Sequence, residues 1–269
     1  MTKEIYRIPD IKEISNDKRI WKPGSMIAGS MTTGEYRKKR WLSQSTIPLD
    51  DLILEKLGFT KGDLIISLAS NHADWAKLIK DKGCIVDYSE MSKPFINYVK
   101  KRIKFRKYLN KDFSTFPNKI NQYAWSFSYE PVSGERGLPI AIMRSLLNQK
   151  GGVLVYYNDS QPVKAKNWPR MFKTIAETYG AKYSIKSEKI DSFRHIKGNL
   201  ERYKKSDKEF KIFTIKTNKN AKNKVLKDLG VMNQLRNKNK TKNNIESLKR
   251  LDKLNNLFLD KFLKDIDIN

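Results

Sequence analysis

Four short stretches of this chain pair residue types that do chemistry with neighbours that would expose them. Ser67-Leu-Ala69-Ser-Asn71-His72-Ala73-Asp-Trp is a turn of mostly small side chains that runs straight into a helical pattern. Small residues let the backbone approach a ligand, and free amides at a helix start attract an anion such as a carboxylate. Asp87 closes the apolar run Cys84-Ile-Val, where its carboxylate would accept both hydroxyl protons of a ribose. Asp112-Phe113 follows the run over 104–109; an acid there accepts an exocyclic amine proton, and the adjoining ring stacks on a base. Ser128-Tyr129-Glu130-Pro131 follows the aromatic run over 123–127 and offers a hydroxyl, a phenol and a carboxylate to orient a substrate or take up its proton. Glu130 has a plainer reading too, as a helix-start charge favoured by the dipole.

Other candidates carry less. Cys84 sits inside a strand pattern, where a small buried role outweighs that of a nucleophile. One cysteine with His72 and His195 provides no set at zinc-ligand spacing, so no metal is expected. The run Arg37-Lys38-Lys39-Arg40, flanked by Tyr36 and Trp41, interleaves bases with aromatics and suits stacking on unpaired nucleotides.

The elements that must position these groups follow from periodicity. From residue 63, short apolar runs alternate with helical segments, which predicts a parallel sheet with crossover helices. Strands are expected at about 63–69, 84–88, 104–109, 123–128 and 152–157, and helices at about 74–81, 91–101, 137–148 and 168–179. Such a sheet binds its ligand at the carboxyl ends of its strands, where all four stretches fall. The runs over 181–187 and 209–216 lack a helix between them and should pair antiparallel.

Outside this block, Pro48 is expected to open a helix over 49–57 that stops at Gly58, after a basic arm over 1–47. Residues 218–269 form a Lys- and Asn-rich tail: a disordered basic linker around 216–244, then an amphipathic helix over 245–264. Leu248, Leu251, Leu254, Phe258 and Phe262 would line one face of that helix and offer it to a protein partner.

The charge points to a polyanion. Lys and Arg number 55 against 29 acids, a formal net charge of +26. A surface of that sign gathers phosphates and releases their counterions. A coding bias toward Lys, Asn and Ile would raise Glu as well, yet acids stay far below bases. The longest apolar runs fall short of the roughly 18 residues of a membrane helix, and the first residues lack secretory features. A cytoplasmic location is expected.

The order of small turn, strand-end acid, Asp-Phe pair and then Leu147-Asn-Gln-Lys-Gly-Gly-Val-Leu-Val-Tyr resembles the class I S-adenosylmethionine-dependent methyltransferases over about residues 48–217. The resemblance implies a Rossmann-like α/β fold: a mostly parallel seven-stranded sheet with an antiparallel last strand, helices on both faces and a basic helical extension. It implies S-adenosylmethionine as cofactor, held by Ser67, Ala69, Asn71 and Ala73, by Asp87 at the ribose and by Asp112 and Phe113 at the adenine. Ser128, Tyr129 and Glu130 would meet the substrate, and with this charge the substrate is expected to be RNA, gripped in part by Arg37, Lys38, Lys39, Arg40 and Trp41. The chain departs from the family where an acid and glycines become Ser67, Ala69, Asn71 and Ala73, and it lacks Asn-Pro-Pro-Tyr. Those departures keep open an alternative, a methyltransferase-like protein without turnover that binds nucleic acid or helps assemble a complex. A nicotinamide-dependent oxidoreductase ranks last, because the Gly-x-Gly-x-x-Gly turn is missing.

Overall fold

Runs of β-branched and aromatic residues, each closed by a turn, become the strands, and the segments with apolar residues three and four apart become the helices. The computed structural model describes residues 45–48, 50–68, 73–90, 93–111, 121–129, 138–157, 168–189, 192–197, 200–205, 209–236 and 244–254. The strands are β1 (Ser45–Pro48), β2 (Leu64–Leu68), β3 (Ile85–Ser89), β4 (Lys107–Leu109), β5 (Trp125–Tyr129), β6 (Gly151–Tyr157), β7 (Lys182–Lys189), β8 (Ser192–Lys197), β9 (Leu200–Lys205) and β10 (Glu209–Lys216). The helices are α1 (Ile53–Leu57), α2 (Asp74–Asp81), α3 (Lys93–Lys100), α4 (Leu138–Ser145), α5 (Trp168–Tyr179), α6 (Lys219–Arg236) and α7 (Ile245–Leu254).

Seven strands form one sheet in the order β4-β3-β2-β5-β6-β10-β7. β2 pairs in parallel with both β3 and β5, so the chain winds outward from β2 to one edge and then resumes on its other side. That reversal is the switch point. β10 runs antiparallel between β6 and β7, as the sequence predicts for a last strand without a crossover. Side chains alternate across the sheet. Ile65, Tyr88, Phe127, Val153 and Phe210 share a core with residues of α1, α2 and α3, such as Leu57, Ile79 and Val99. Leu154, Phe213 and Ile215 share the other with residues of α4, α5 and α6, such as Met143, Ile175 and Val225.

Gly151 and Gly152, which open β6, are both required by close approach. Gly151 has φ 140°, and a Cβ there would lie 1.9 Å from the Ile215 carbonyl oxygen of β10. A Cβ on Gly152 would lie 2.6 Å from the side chain of Ser145 in α4.

Three expectations need correction. The supposed linker over 216–244 holds the 18-residue helix α6, because Ala221, Val225, Leu229 and Met232 bury one stripe in the core while lysines and asparagines cover the rest. Asn218 caps it, its Oδ1 accepting the Ala221 amide at 2.8 Å. Pro48 ends β1 instead of opening a helix, and the helix is only Ile53–Leu57, started by the Asp50 carboxylate on the Leu52 amide at 2.8 Å. Leu251 and Leu254 of α7 are buried in the core of the domain itself, with Leu248 packed against it, so these three leucines are not offered to a partner. Phe258 and Phe262 lie outside the described residues.

A three-stranded sheet in the order β1-β8-β9 has no counterpart among the elements expected from periodicity; its hairpin β8-β9 is inserted between β7 and β10. Among the described residues, no helix is long and apolar enough to cross a membrane.

The two glycine environments make opposite predictions. Gly180 has φ 67° and open space around it, so Gly180→Ala should cost only about 1 kcal/mol of left-handed backbone strain. Gly151→Ala adds a backbone clash and should cost about 3 kcal/mol or more. Urea unfolding midpoints of the two variants check the difference.

Candidate functional site

The carboxyl ends of β2, β3 and β5 meet beside the switch point. Register brings Ser67 level with Tyr88 and Phe127, and Leu68 level with Ser128. Ser67 is fully buried there, one residue before the end of β2. Ala73, just ahead of α2, is buried and holds φ 67°, the left-handed conformation that glycine adopts freely and alanine resists. Two residues on, Trp75 stacks on Tyr129 at a centroid distance of 5.0 Å and an interplanar angle of 27°. Phe127 and the edge of Phe210 pack on the same indole. This aromatic set locks the start of α2 against the end of β5.

Ser128 is buried beside Tyr129, and its Oγ has no hydrogen-bond partner among the described residues. A buried hydroxyl left in that state costs about 1–3 kcal/mol, which a ligand would relieve.

Asp87 lies elsewhere than expected. It sits in the middle of β3, fully buried, in register with Ile66 and Lys107. Both carboxylate oxygens are occupied by Arg106, Nε on Oδ1 at 2.8 Å and Nη2 on Oδ2 at 2.6 Å. The Tyr123 hydroxyl donates to Oδ2 at 2.9 Å. The hydrogen bond to Asp87 raises the Arg106 pKa against the opposing effect of burial. Burial, then the charge of Asp87, pushes the Tyr123 phenol well above its ordinary value, so it remains a donor. Asp87 therefore ties the starts of β4 and β5 to β3 and does not face the crevice.

The acid at the carboxyl end of β3 is Glu90, which periodicity missed because the apolar run was closed at its first charged residue. Glu90 is 4% exposed. Its amide donates to the Leu109 carbonyl and its carbonyl accepts from Asn110 Nδ2, both at 3.0 Å, clamping the ends of β3 and β4 together. The signal available was length: Tyr88 and Ser89 continue the strand for two residues past Asp87.

Ser67, Ser128 and Tyr129 thus stand at the carboxyl ends of β2 and β5, with Ala73 ahead of α2; Ser128 faces the opposite side of the sheet from Ser67 and Tyr129, and Asp87 lies in mid-strand. Ala69, Asn71, His72, Asp112, Phe113, Glu130 and the run Arg37, Lys38, Lys39, Arg40, Trp41 lie outside the described residues. Cys84 is buried with its thiol donating weakly to the Thr60 carbonyl at 3.5 Å, and burial, then the charge of Asp63, pushes its pKa up to about 11. It is no nucleophile.

The sheet combines a central β2, a switch between β2 and β5 and a lone antiparallel strand next to the edge. The fold is a Rossmann-like α/β fold, a mostly parallel seven-stranded sheet with β10 antiparallel. No family model and no curated protein matches the sequence. Similar solved structures include magnesium protoporphyrin IX methyltransferase from Synechocystis, 8% identical, covering 75% of this chain and 92% of that one with a TM-score of 0.44. A precorrin-6y C5,15-methyltransferase from Geobacter metallireducens is 10% identical, with 61% and 85% covered and a TM-score of 0.42. A SAM-dependent methyltransferase from Aquifex aeolicus is 11% identical, with 61% and 87% covered and a TM-score of 0.42. Strand order, and not these superpositions, defines the crevice and its lining.

Two substitutions probe the site without any ligand. Asp87→Asn leaves Arg106 facing a neutral partner; because that guanidinium reaches water, the loss should fall at or below the low end of the roughly 3–5 kcal/mol seen for broken buried pairs, read by chemical denaturation. Ala73→Gly should be neutral or stabilising by up to about 1 kcal/mol, the opposite sign to an ordinary Ala-to-Gly change, because the left-handed cost disappears.

Proposed function

We propose that this chain is an S-adenosylmethionine-dependent methyltransferase acting on RNA. The observation that carries it is the set of residues at the carboxyl ends of the parallel strands beside the switch point, where such a sheet binds its ligand: the left-handed Ala73 ahead of α2, the strand-end Glu90 and the buried Ser128 hydroxyl without a partner among the described residues. These residues fit the cofactor. Glu90 takes the ribose position that the family resemblance gives to Asp87, the first-turn amides of α2 take the carboxylate, and Asp112 and Phe113 keep the adenine.

When bound, S-adenosylmethionine supplies a methyl group on a sulfonium that is ready to leave. The protein's own residues have to align an acceptor and exclude water. Ser128 holds the acceptor by its hydroxyl, Glu130 accepts the proton released there, and Tyr129, braced by Trp75, gives a base an aromatic surface. RNA as the acceptor is supported by the net charge of +26 and by Arg37, Lys38, Lys39, Arg40 and Trp41.

A second reading, a binding protein without turnover, is favoured by alanine at position 73, which holds the left-handed conformation that glycine adopts freely. Calorimetric titration with S-adenosylhomocysteine separates the two. The methyltransferase should bind it, Glu90→Ala should weaken binding at least about tenfold, equal to roughly 1.4 kcal/mol, and Asp87→Asn should leave the affinity of folded protein unchanged. Absence of heat with folded wild-type protein selects the second reading.

A further inference from the structure

The amino ends of the strands form the side of the sheet opposite the crevice, and they are laced together. Residues 60–63 lead into β2, 82–84 into β3, 101–106 into β4, 121–124 into β5 and 146–150 into β6. β7 is parallel to β6, since both oppose β10, so Lys182 begins there and Lys216 ends there. The Gly62 amide donates to Gly83 at 2.9 Å, Ala124 to Leu64 at 2.8 Å, Lys150 to Ala124 at 2.9 Å and Thr217 to Lys150 at 3.0 Å. Asn218 Nδ2 joins in, donating to the Gly180 carbonyl at 2.7 Å. The result is a rigid rim.

Six exposed lysines, Lys61, Lys101, Lys104, Lys182, Lys216 and Lys219, are distributed along this rim. None of the six is ion-paired to a described carboxylate. The rim's acids are already engaged. Asp63 holds Lys150 Nζ at 2.8 Å and the Trp125 indole at 3.2 Å, Asp51 holds Lys82, and Asp87 is buried under Arg106. Among the described residues, the six cations therefore stand in one row without a paired carboxylate. From β4 to β7 there are six strand intervals, so the row spans roughly 30 Å.

We infer that this rim is a docking face for the phosphate backbone of folded RNA, separate from the crevice. A row of like charge along one edge suits the repeating charge of a helix, and phosphate contacts position such a partner without reading its sequence. A protein partner would need an apolar centre. The rim's described large exposed hydrophobics are Leu52 beside Asp51, Ile85 on β3 and Tyr183 on β7, the last two five strand intervals apart. Along the seven residues of β6, rim and crevice are about 20 Å apart, so an RNA that engages both must be folded or long. This inference rests on the RNA part of the function proposed above.

The test is binding of a labelled RNA hairpin of about 16 base pairs to the full chain, measured by anisotropy across a salt series. The variant Lys101→Ala/Lys104→Ala/Lys216→Ala is compared with Lys173→Ala/Lys186→Ala/Lys253→Ala, three exposed lysines away from the rim. Both sets are at the surface, and matching thermal melts confirm that each variant folds. The rim variant should lower the slope of log affinity against log salt by about two to three, one phosphate contact per lysine, while the control keeps the wild-type slope. Equal effects of the two triples, an unchanged slope in the rim variant, or polyglutamate bound as tightly as the hairpin would overturn the inference. Titrating the rim variant with S-adenosylhomocysteine reports on the crevice independently. Intact binding there with no rim effect on RNA rejects the rim alone, whereas a rim effect with no cofactor binding in wild type rejects the methyltransferase reading alone.

Discussion

The architecture depends on β10 being able to lie against the start of β6. That contact exists because position 151 has no side chain: the Ile215 carbonyl occupies the space a Cβ would need. Once seated, β10 divides its own residues between the two cores, Phe210 and Ile212 on one face and Phe213 and Ile215 on the other. It also supplies the pairing edge for β7 and delivers the chain to the amino end of the sheet, where Asn218 can cap α6. Without it β6 would be an edge strand, its apolar residues would lose cover on both faces, and α6 would have no floor.

Two buried aspartates then fix which elements sit beside which. Asp87 takes Arg106 and Tyr123; Asp228 of α6 takes Arg250 of α7, at 2.9 and 2.6 Å, and the Tyr179 hydroxyl of α5 at 3.0 Å. Both carboxylates are fully buried. Burying a charge costs several kcal/mol, and only a complete set of short, well-aligned donors offsets it. Each aspartate draws its donors from different stretches of chain, so an alternative packing that loses one element leaves a bare buried charge. The hydrogen bond to Asp228 raises the Arg250 pKa while burial works against it, and burial first, then Asp228, raises that of Tyr179. The chemistry is the same at the two sites. An acid that looks like a ligand in sequence can equally be a structural pivot.

That ambiguity marks where the sequence stops being legible. Parallel strands and crossover helices were readable because short apolar runs with turn residues between them have few other solutions, and the antiparallel last strand followed from a missing helix. α6 was hidden because Ala221, Val225, Leu229 and Met232 are diluted by Lys and Asn, so composition masked a four-residue stripe. The β1-β8-β9 sheet joins a segment ahead of the domain to a hairpin far along the chain, a long-range pairing that no local pattern encodes. In the site, the turn at Ala73 and the strand end at Ser128-Tyr129 were readable from neighbouring residue types. Asp87 was misplaced because its role is decided by Arg106 and Tyr123, 19 and 36 residues away. Nothing in the four residues around Asp87 reveals a guanidinium waiting in space.

The two ends of the sheet therefore carry different chemistry for one reason. In a parallel sheet every strand starts at one end and finishes at the other, so side chains in the leading turns collect on one side and those in the trailing loops on the other. In this chain the leading turns are short, joined amide to carbonyl across neighbouring strands, and rich in lysine, while the described trailing positions include Ala73, Glu90 and Ser128. A surface that binds phosphates by charge alone needs rigidity and spacing but little shape. A surface that handles a reactive methyl needs a turn with unusual backbone, a carboxylate and an unsatisfied hydroxyl in a small volume. In the proposed function, separating them by the length of a strand would let electrostatic attraction act on the partner without placing lysine side chains where water must be excluded and an acceptor aligned.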